Sequence, residues 1–356
     1  MNRPSTRTAG GAVGALEAEI ALLPRPLLIL STAVGRGMYS IGEALHERAE
    51  GEVEHRAVED FLPPSAMRED VERYRAISSR FPLLLHLPYR VPLIYQRKLL
   101  RERHLRTTDL TALSAHLETG GFGSVLAVSH RPTFWAALAK ERAGLDVSIV
   151  GLSGEYGSSL GWRYVPWSSI QRFLTPVPAS ELRFAVPAPT TVQLVPLPAR
   201  AEYEALASEP GDPNAALVVC GLWGQGRIDR ILKELRGISP ELTFHAVCGE
   251  NDALRRTIES ACDPRVRAYG VVPSLAPILR ECASVITKPG IATVLETHAA
   301  RRAMFLIPGM PVAEDNNLRF ALHHMGALRY SRDAFRGWLE AAEFPPEDTA
   351  CRASVR

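Results

Sequence analysis

Val285-Ile286-Thr287-Lys288-Pro289-Gly290-Ile291-Ala292-Thr293-Val294-Leu295-Glu296 joins a short apolar run to a helix-forming run through a proline and a glycine. The first part reads as a buried strand, the middle as a turn and the last as a helix opening. The first amides of a helix have no acceptor within it, and the helix dipole adds partial positive charge there. Such a turn holds an anion, and a diphosphate suits it without any basic side chain. Gly290, Ile291 and Ala292 supply the candidate amides, and Thr293 adds a hydroxyl. Glu296 lies one turn further on, where a carboxylate accepts both hydroxyls of a ribose. An ordinary strand–turn–helix with a solvated Glu has the same pattern, so the residues alone leave both readings open.

The alternation continues on both sides. Segments 216–220, 242–248, 266–269, 284–287 and 303–307 read as strands. Helices are expected over 228–235, 253–261, 275–281 and 293–300, with a terminal helix near 332–342. Towards the N-terminus, 26–32 reads as a strand that ends in Gly35-Arg36-Gly37, with a helix over 41–50. Segments 124–129 and 147–152 are apolar throughout, as strands of a parallel sheet are. Prolines crowd 176–198, and the turn residues of 208–214 place a linker near 199–214. The expected fold class is α/β, with two doubly wound Rossmann-like domains in series. A flexible arm (1–24) precedes a first domain (25–198), and a second domain (215–331) precedes a terminal helix and tail (332–356). Ligands of such sheets bind outside the carboxyl ends of the strands. A cleft between two such domains closes out water, which suits sugar transfer.

Composition sets the outer bounds. The chain has 356 residues, 46% hydrophobic and 22% charged, enough for two globular cores. A net charge of +2 calls for no nucleic-acid partner. The five cysteines include no C-x-x-C pair, and reduced thiols suit the cytoplasm. No secretory leader pattern stands at the start, and no apolar run reaches the roughly 18 residues of a membrane span. No Asp-x-Asp follows a strand, so no catalytic metal is expected. Segment 80–106 carries seven Lys or Arg and one Glu among many Leu and two Tyr. That is the pattern of a surface resting on anionic lipid, which would put the chain at the inner face of a membrane. It is equally the pattern of a core-packing helix with a basic outer face, although three prolines oppose one continuous helix.

Ile286-Thr287-Lys288-Pro289-Gly290, followed by Thr293 and Glu296, resembles the donor-site motif of the diacylglycerol glycosyltransferases. That family includes the monogalactosyldiacylglycerol synthases and the processive glucosyltransferases. It is related to the GlcNAc transferase that makes the peptidoglycan lipid intermediate. The likeness runs with gaps from about residue 26 to 330 and is strongest in the C-terminal half. It implies a GT-B fold and a UDP-sugar co-substrate with no cofactor and no metal. It implies inverting transfer of a hexose or N-acetylhexosamine to a hydroxyl of a lipid or natural-product acceptor.

The resemblance also assigns residues. Gly221, Gly224 and Gln225 match the first glycine-rich turn of the nucleotide domain, and Gly249 matches its second strand end. Val272 falls in the segment whose backbone reads uracil. Glu314, Asp315 and Asn317 fall where the family has a Gln-Glu pair and an Asn facing the sugar, and this chain lacks the Gln. An acidic surface loop has the same composition. Gly35 and Gly37 match the first loop, but Met38 stands in place of the family's His. Met takes no proton, so His130 and Glu155, each after a strand, become the candidates for base and acceptor contact. A His at a strand end also serves structure alone.

Three other functions stay open at this point. A UDP-sugar 2-epimerase shares the architecture. A soluble natural-product or nucleoside-antibiotic glycosyltransferase has no lipid acceptor. Met38 also suits a binding protein without activity. An oxidoreductase is disfavoured by the poor glycine spacing over 221–226, with Glu250 alone as the acid.

Overall fold

The computed structural model describes residues 9–64, 72, 75–76, 105–157, 159–224, 227–309 and 313–343. Gln225 lies outside them, as does all of 80–106 except its last two residues. The chain divides into two compact units. The first comprises Met1–Ala201 with Ile291–Glu296 and Gly309–Phe320, and the second Glu202–Gly290, Thr297–Pro308 and Ala321–Arg356.

The first unit holds strands β1 (Leu27–Ser31), β2 (Val53–Ala57), β3 (Ser124–Val128), β4 (Ser148–Leu152), β5 (Ile170–Thr175) and β6 (Thr191–Leu194). They form one parallel sheet in the order β2-β1-β3-β4-β5-β6. β1 and β3 are buried at every position, which explains their unbroken apolar runs. Helices α1 (Ala9–Ala21), α2 (Gly37–Arg48), α3 (Thr111–Thr119) and α4 (His130–Ala143) accompany them. Helix α1 corrects the expected loose arm. Its Leu16 and Ile20, one turn apart, are each 1% exposed, and Glu19 pairs with Arg172 of β5 at 3.1 Å. An Ala/Gly-rich composition hid that apolar stripe.

The second unit begins with the short helix α5 (Ala201–Glu204) and a 3-10 turn (Ala205–Ser208), both inside the stretch expected to be a linker. Tyr203 and Leu206 there are buried. There follow β7 (Asp212–Val219), α6 (Ile228–Arg236), β8 (Thr243–Val247), α7 (Asp252–Ser260), β9 (Val266–Tyr269), α8 (Ala276–Glu281), β10 (Cys282–Thr287) and α9 (Ile291–Ala299). β11 (Ala303–Leu306), α10 (Ala313–His324), β12 (Leu328–Arg329) and α11 (Arg332–Glu343) complete the order, with Ile291–Glu296 of α9 and α10 as far as Phe320 counted in the first unit. The sheet runs β12-β11-β10-β7-β8-β9, all parallel. That is the Rossmann order, with the direction of strand succession reversing between β7 and β10. Helix α11, whose packing the sequence left open, sets Phe335 against Phe305 with ring centroids 5.0 Å apart and so belongs to this core.

Arg302, at the start of β11, is buried. Its Nε donates to Leu279 O at 2.8 Å, and its Nη1 donates to Ala300 O at 2.9 Å and Leu206 O at 3.4 Å. The carbonyls of Leu279 and Ala300 lie at the ends of α8 and α9, where acceptors lack intrahelical donors and the dipoles point their negative ends, and Leu206 O in the 3-10 turn also accepts from Glu209 N–H. One guanidinium thus joins these three segments. Arg302→Met should remove these bonds at a cost of about 2–4 kcal/mol. Urea unfolding should show a lower midpoint at unchanged slope.

Candidate functional site

The loops after β7, β8, β9 and β10 leave one edge of the second sheet, because its strands run in parallel. Gly221 and Gly224 follow β7 at φ 73° and 56°, and Gly249 follows β8 at φ 59°. A side chain at Gly249 would collide with Leu222 O, and one at Gly224 with Cys248 O. Both conformation and approach therefore require glycine. Glu250 N–H donates to Leu222 O at 2.7 Å, and Asn251 caps α7 by accepting from Leu254 N–H at 3.0 Å. Cys248 N–H donates to Tyr269 O at 2.9 Å, which ties in the segment leading to the half-buried Val272. The structure thus brings Gly221, Gly224, Gly249 and Val272 to one edge.

β10 lies beside β7, and its turn into α9 leaves the same edge. Gly290 N–H donates to Lys288 O at 2.8 Å, so this amide closes the turn. The amides of Ile291, Ala292 and Thr293 head α9. Glu296 departs from its expected place in the open. It is 5% exposed, and its Oε1 accepts from Ser40 Oγ at 2.9 Å and Arg200 Nη2 at 3.2 Å. Arg200 also lies 3.6 Å from Glu43. Burial of a carboxylate is costly without a partner, and Arg200 supplies one. The sequence reading missed Ser40, Glu43 and Arg200, since no motif marks them.

In the first unit, Gly35 and Arg36 turn the chain after β1 at φ 72° and 63°, and Gly37 opens α2. A β-carbon at Gly37 would stand 3.0 Å from Ile291 Cγ2. The Met38 thioether packs over Gly154, where a side chain would collide with it. Ser129 turns β3 into α4 at φ 85° and ψ 161°, a region that non-glycine residues rarely enter. His130 therefore begins α4, with its ring over Gly161 and edge-on to Trp162 at 6.3 Å.

Glu155 follows β4. Burial, and then the negative charge of Glu314, push its carboxyl up to about 7. Glu314 is buried in the first turn of α10 beside the partly buried Asp315, so the expected acidic loop is a helix start. Tyr156 N–H donates to buried Asn317 Oδ1 at 3.1 Å, and its ring stacks on Phe320 with centroids 3.6 Å apart. The structure thus gathers Glu155, Glu314 and Asn317. Among the described residues, no three His, Cys, Asp or Glu are grouped to hold a metal ion, and no helix is long and apolar enough to cross a membrane.

No protein-family model matches the chain. It is similar to a processive diacylglycerol beta-glucosyltransferase of Bacillus cereus (strain 03BB102), 27% identical over 121 residues, covering 33% of this chain and 31% of that protein. It is also similar to an uncharacterized glycosyltransferase, YkoN, of Bacillus subtilis (strain 168), 26% identical over 129 residues, covering 35% and 34% respectively. The chain thus spans about a third of the length of these relatives. Among solved structures, the glycotransferase of kitacinnamycin matches with TM-score 0.53 at 16% identity, over 91% of this chain and 92% of that one. Os79 from O. sativa matches with TM-score 0.54 at 12% identity, over 89% and 91%. These likenesses are of fold, and with the two parallel sheets they make this a GT-B fold.

The proton on Glu155 has a measurable consequence. Its folded value of about 7 lies above the ordinary 4.5, so between these values the native state holds a proton that the unfolded chain has lost. Stability is therefore full below the ordinary value and falls as pH rises through the folded one. Glu155→Gln is neutral throughout. It should match the parent near pH 4 and exceed it near pH 8 by up to about 3 kcal/mol, read from denaturant unfolding at both pH values. An equal difference at both would show that Glu155 titrates normally.

Proposed function

We propose that the chain transfers a hexose or N-acetylhexosamine from a UDP-sugar to an acceptor hydroxyl, with inversion and without a metal. The main support is the set of glycine turns at the carboxyl edge of the second sheet, at the point where its strand order reverses. Nucleotides bind such an edge. In this reading the backbone near Val272 takes the uracil, and the amides of Ile291, Ala292 and Thr293 take the diphosphate. Glu296 takes the ribose, with Ser40 and Arg200 orienting its carboxylate. Glu314, Asp315 and Asn317 take the sugar.

Glu155 is the base in this mechanism, since Met38 takes no proton. A carboxyl that titrates near neutrality is matched to accepting one. The acceptor oxygen bonds to the anomeric carbon while the bond from that carbon to UDP breaks. The acceptor proton passes to Glu155 and the electron pair leaves with UDP. His130 is the second candidate. In-line attack inverts the anomeric centre.

The diacylglycerol glucosyltransferase relatives favour a lipid hydroxyl as acceptor, reached at the inner face of a membrane with 80–106 as the contact. Met38 and the missing Gln favour instead a natural-product acceptor, since both depart from the lipid enzymes at the sugar and acceptor positions.

UDP should raise the melting temperature, and GDP and NAD should not. At about 100 dissociation constants the stabilisation should be roughly 2.7 kcal/mol. A shift with NAD and none with UDP would overturn the reading. EDTA should leave turnover of the UDP-sugar largely intact. Loss of turnover on chelation, restored by magnesium or manganese, would replace the amides as the principal partner of the diphosphate.

A further inference from the structure

Gly221 and Lys288 stand just past the ends of neighbouring strands. Val219 of β7 pairs with Thr287 of β10, so the two turns leave the sheet side by side at the point where strand order reverses. Gly221 holds φ 73°, and a β-carbon there would lie 2.8 Å from Lys288 Cε and 3.4 Å from Nζ. The lysine stem thus passes through the space that the glycine leaves open, and it carries its ammonium to the strand reversal. Only four of the chain's 41 basic residues are Lys. At this position the choice has a physical reason. A narrow stem with a compact charge fits across a bare backbone, where a planar guanidinium needs more room.

We propose that Lys288 is the cation that meets the donor diphosphate and stabilises it as it leaves. The inference rests on the UDP-sugar reading above and deepens it. The amides heading α9 contribute about half a unit of positive charge, well short of what a diphosphate carries. Breaking the bond from the anomeric carbon to UDP leaves another negative charge on the departing oxygen. An ammonium beside that oxygen interacts more strongly with the leaving UDP than with the bound donor, and that difference lowers the barrier.

Calorimetry on the full chain with uridine, UMP and UDP tests this. The parent chain should bind UDP more tightly than UMP, and UMP more tightly than uridine. Lys288→Met, with its melting temperature checked, should weaken UDP roughly ten- to a hundredfold and leave uridine unchanged. It should also flatten the dependence of UDP affinity on salt. Lys288→Gln should behave alike, and in both variants turnover at saturating UDP-sugar should fall. Unchanged UDP affinity in the folded variants would overturn the proposal. So would an equal loss for uridine, UMP and UDP, which marks a structural role. A parent chain that binds none of the three would overturn the UDP reading itself.

Discussion

Two turns in the second unit approach each other backbone to backbone. Leu222 O occupies the space of a side chain at Gly249, and Cys248 O that of a side chain at Gly224. Glycine alone satisfies both ends of this contact, and both glycines also hold positive φ. The bond from Glu250 N–H to Leu222 O closes the turns together, and Asn251 then caps α7. At these positions the two turns bring backbone against backbone at the strand ends of β7 and β8. The neighbouring β10 turn supplies helix amides at the same edge.

The first unit surrounds two of its carboxylates in opposite ways. Glu296 is paired with Arg200 and Ser40, so burial is offset by a cation and a hydroxyl donor. Glu155 faces Glu314 instead, and burial and like charge act in the same direction on it. One carboxylate is held between a cation and a hydroxyl, and the other is pushed towards neutrality.

Legibility in the sequence followed the geometry of each element. β7, β10 and α6 to α9 were readable because buried parallel strands make short apolar runs and their crossover helices follow at regular intervals. β2, β5, β6 and β12 were missed. β2, β6 and β12 are edge strands with one pairing neighbour; Val-Glu-His-Arg-Ala has no alternation, and Thr-Val-Gln-Leu alternates over only four residues, while the central β5 breaks its apolar run with Gln171 and Arg172. The glycine turns were visible because a positive φ at a close approach leaves only one residue type. The partners of Glu296 were not, because Ser40 and Arg200 lie 256 and 96 residues away. The coupling of Glu155 to Glu314 arises in the same way, from elements that the fold alone brings together.

Met38 connects these features. Its sulfur packs over Gly154, the residue that precedes Glu155. A histidine at 38 would bring a polar, chargeable ring to that place, and the thioether brings an apolar one. The thioether thus adds apolar surface beside the turn after β4, which precedes Glu155. In the proposed mechanism the base has moved from the end of one strand to the end of another at the same sheet edge.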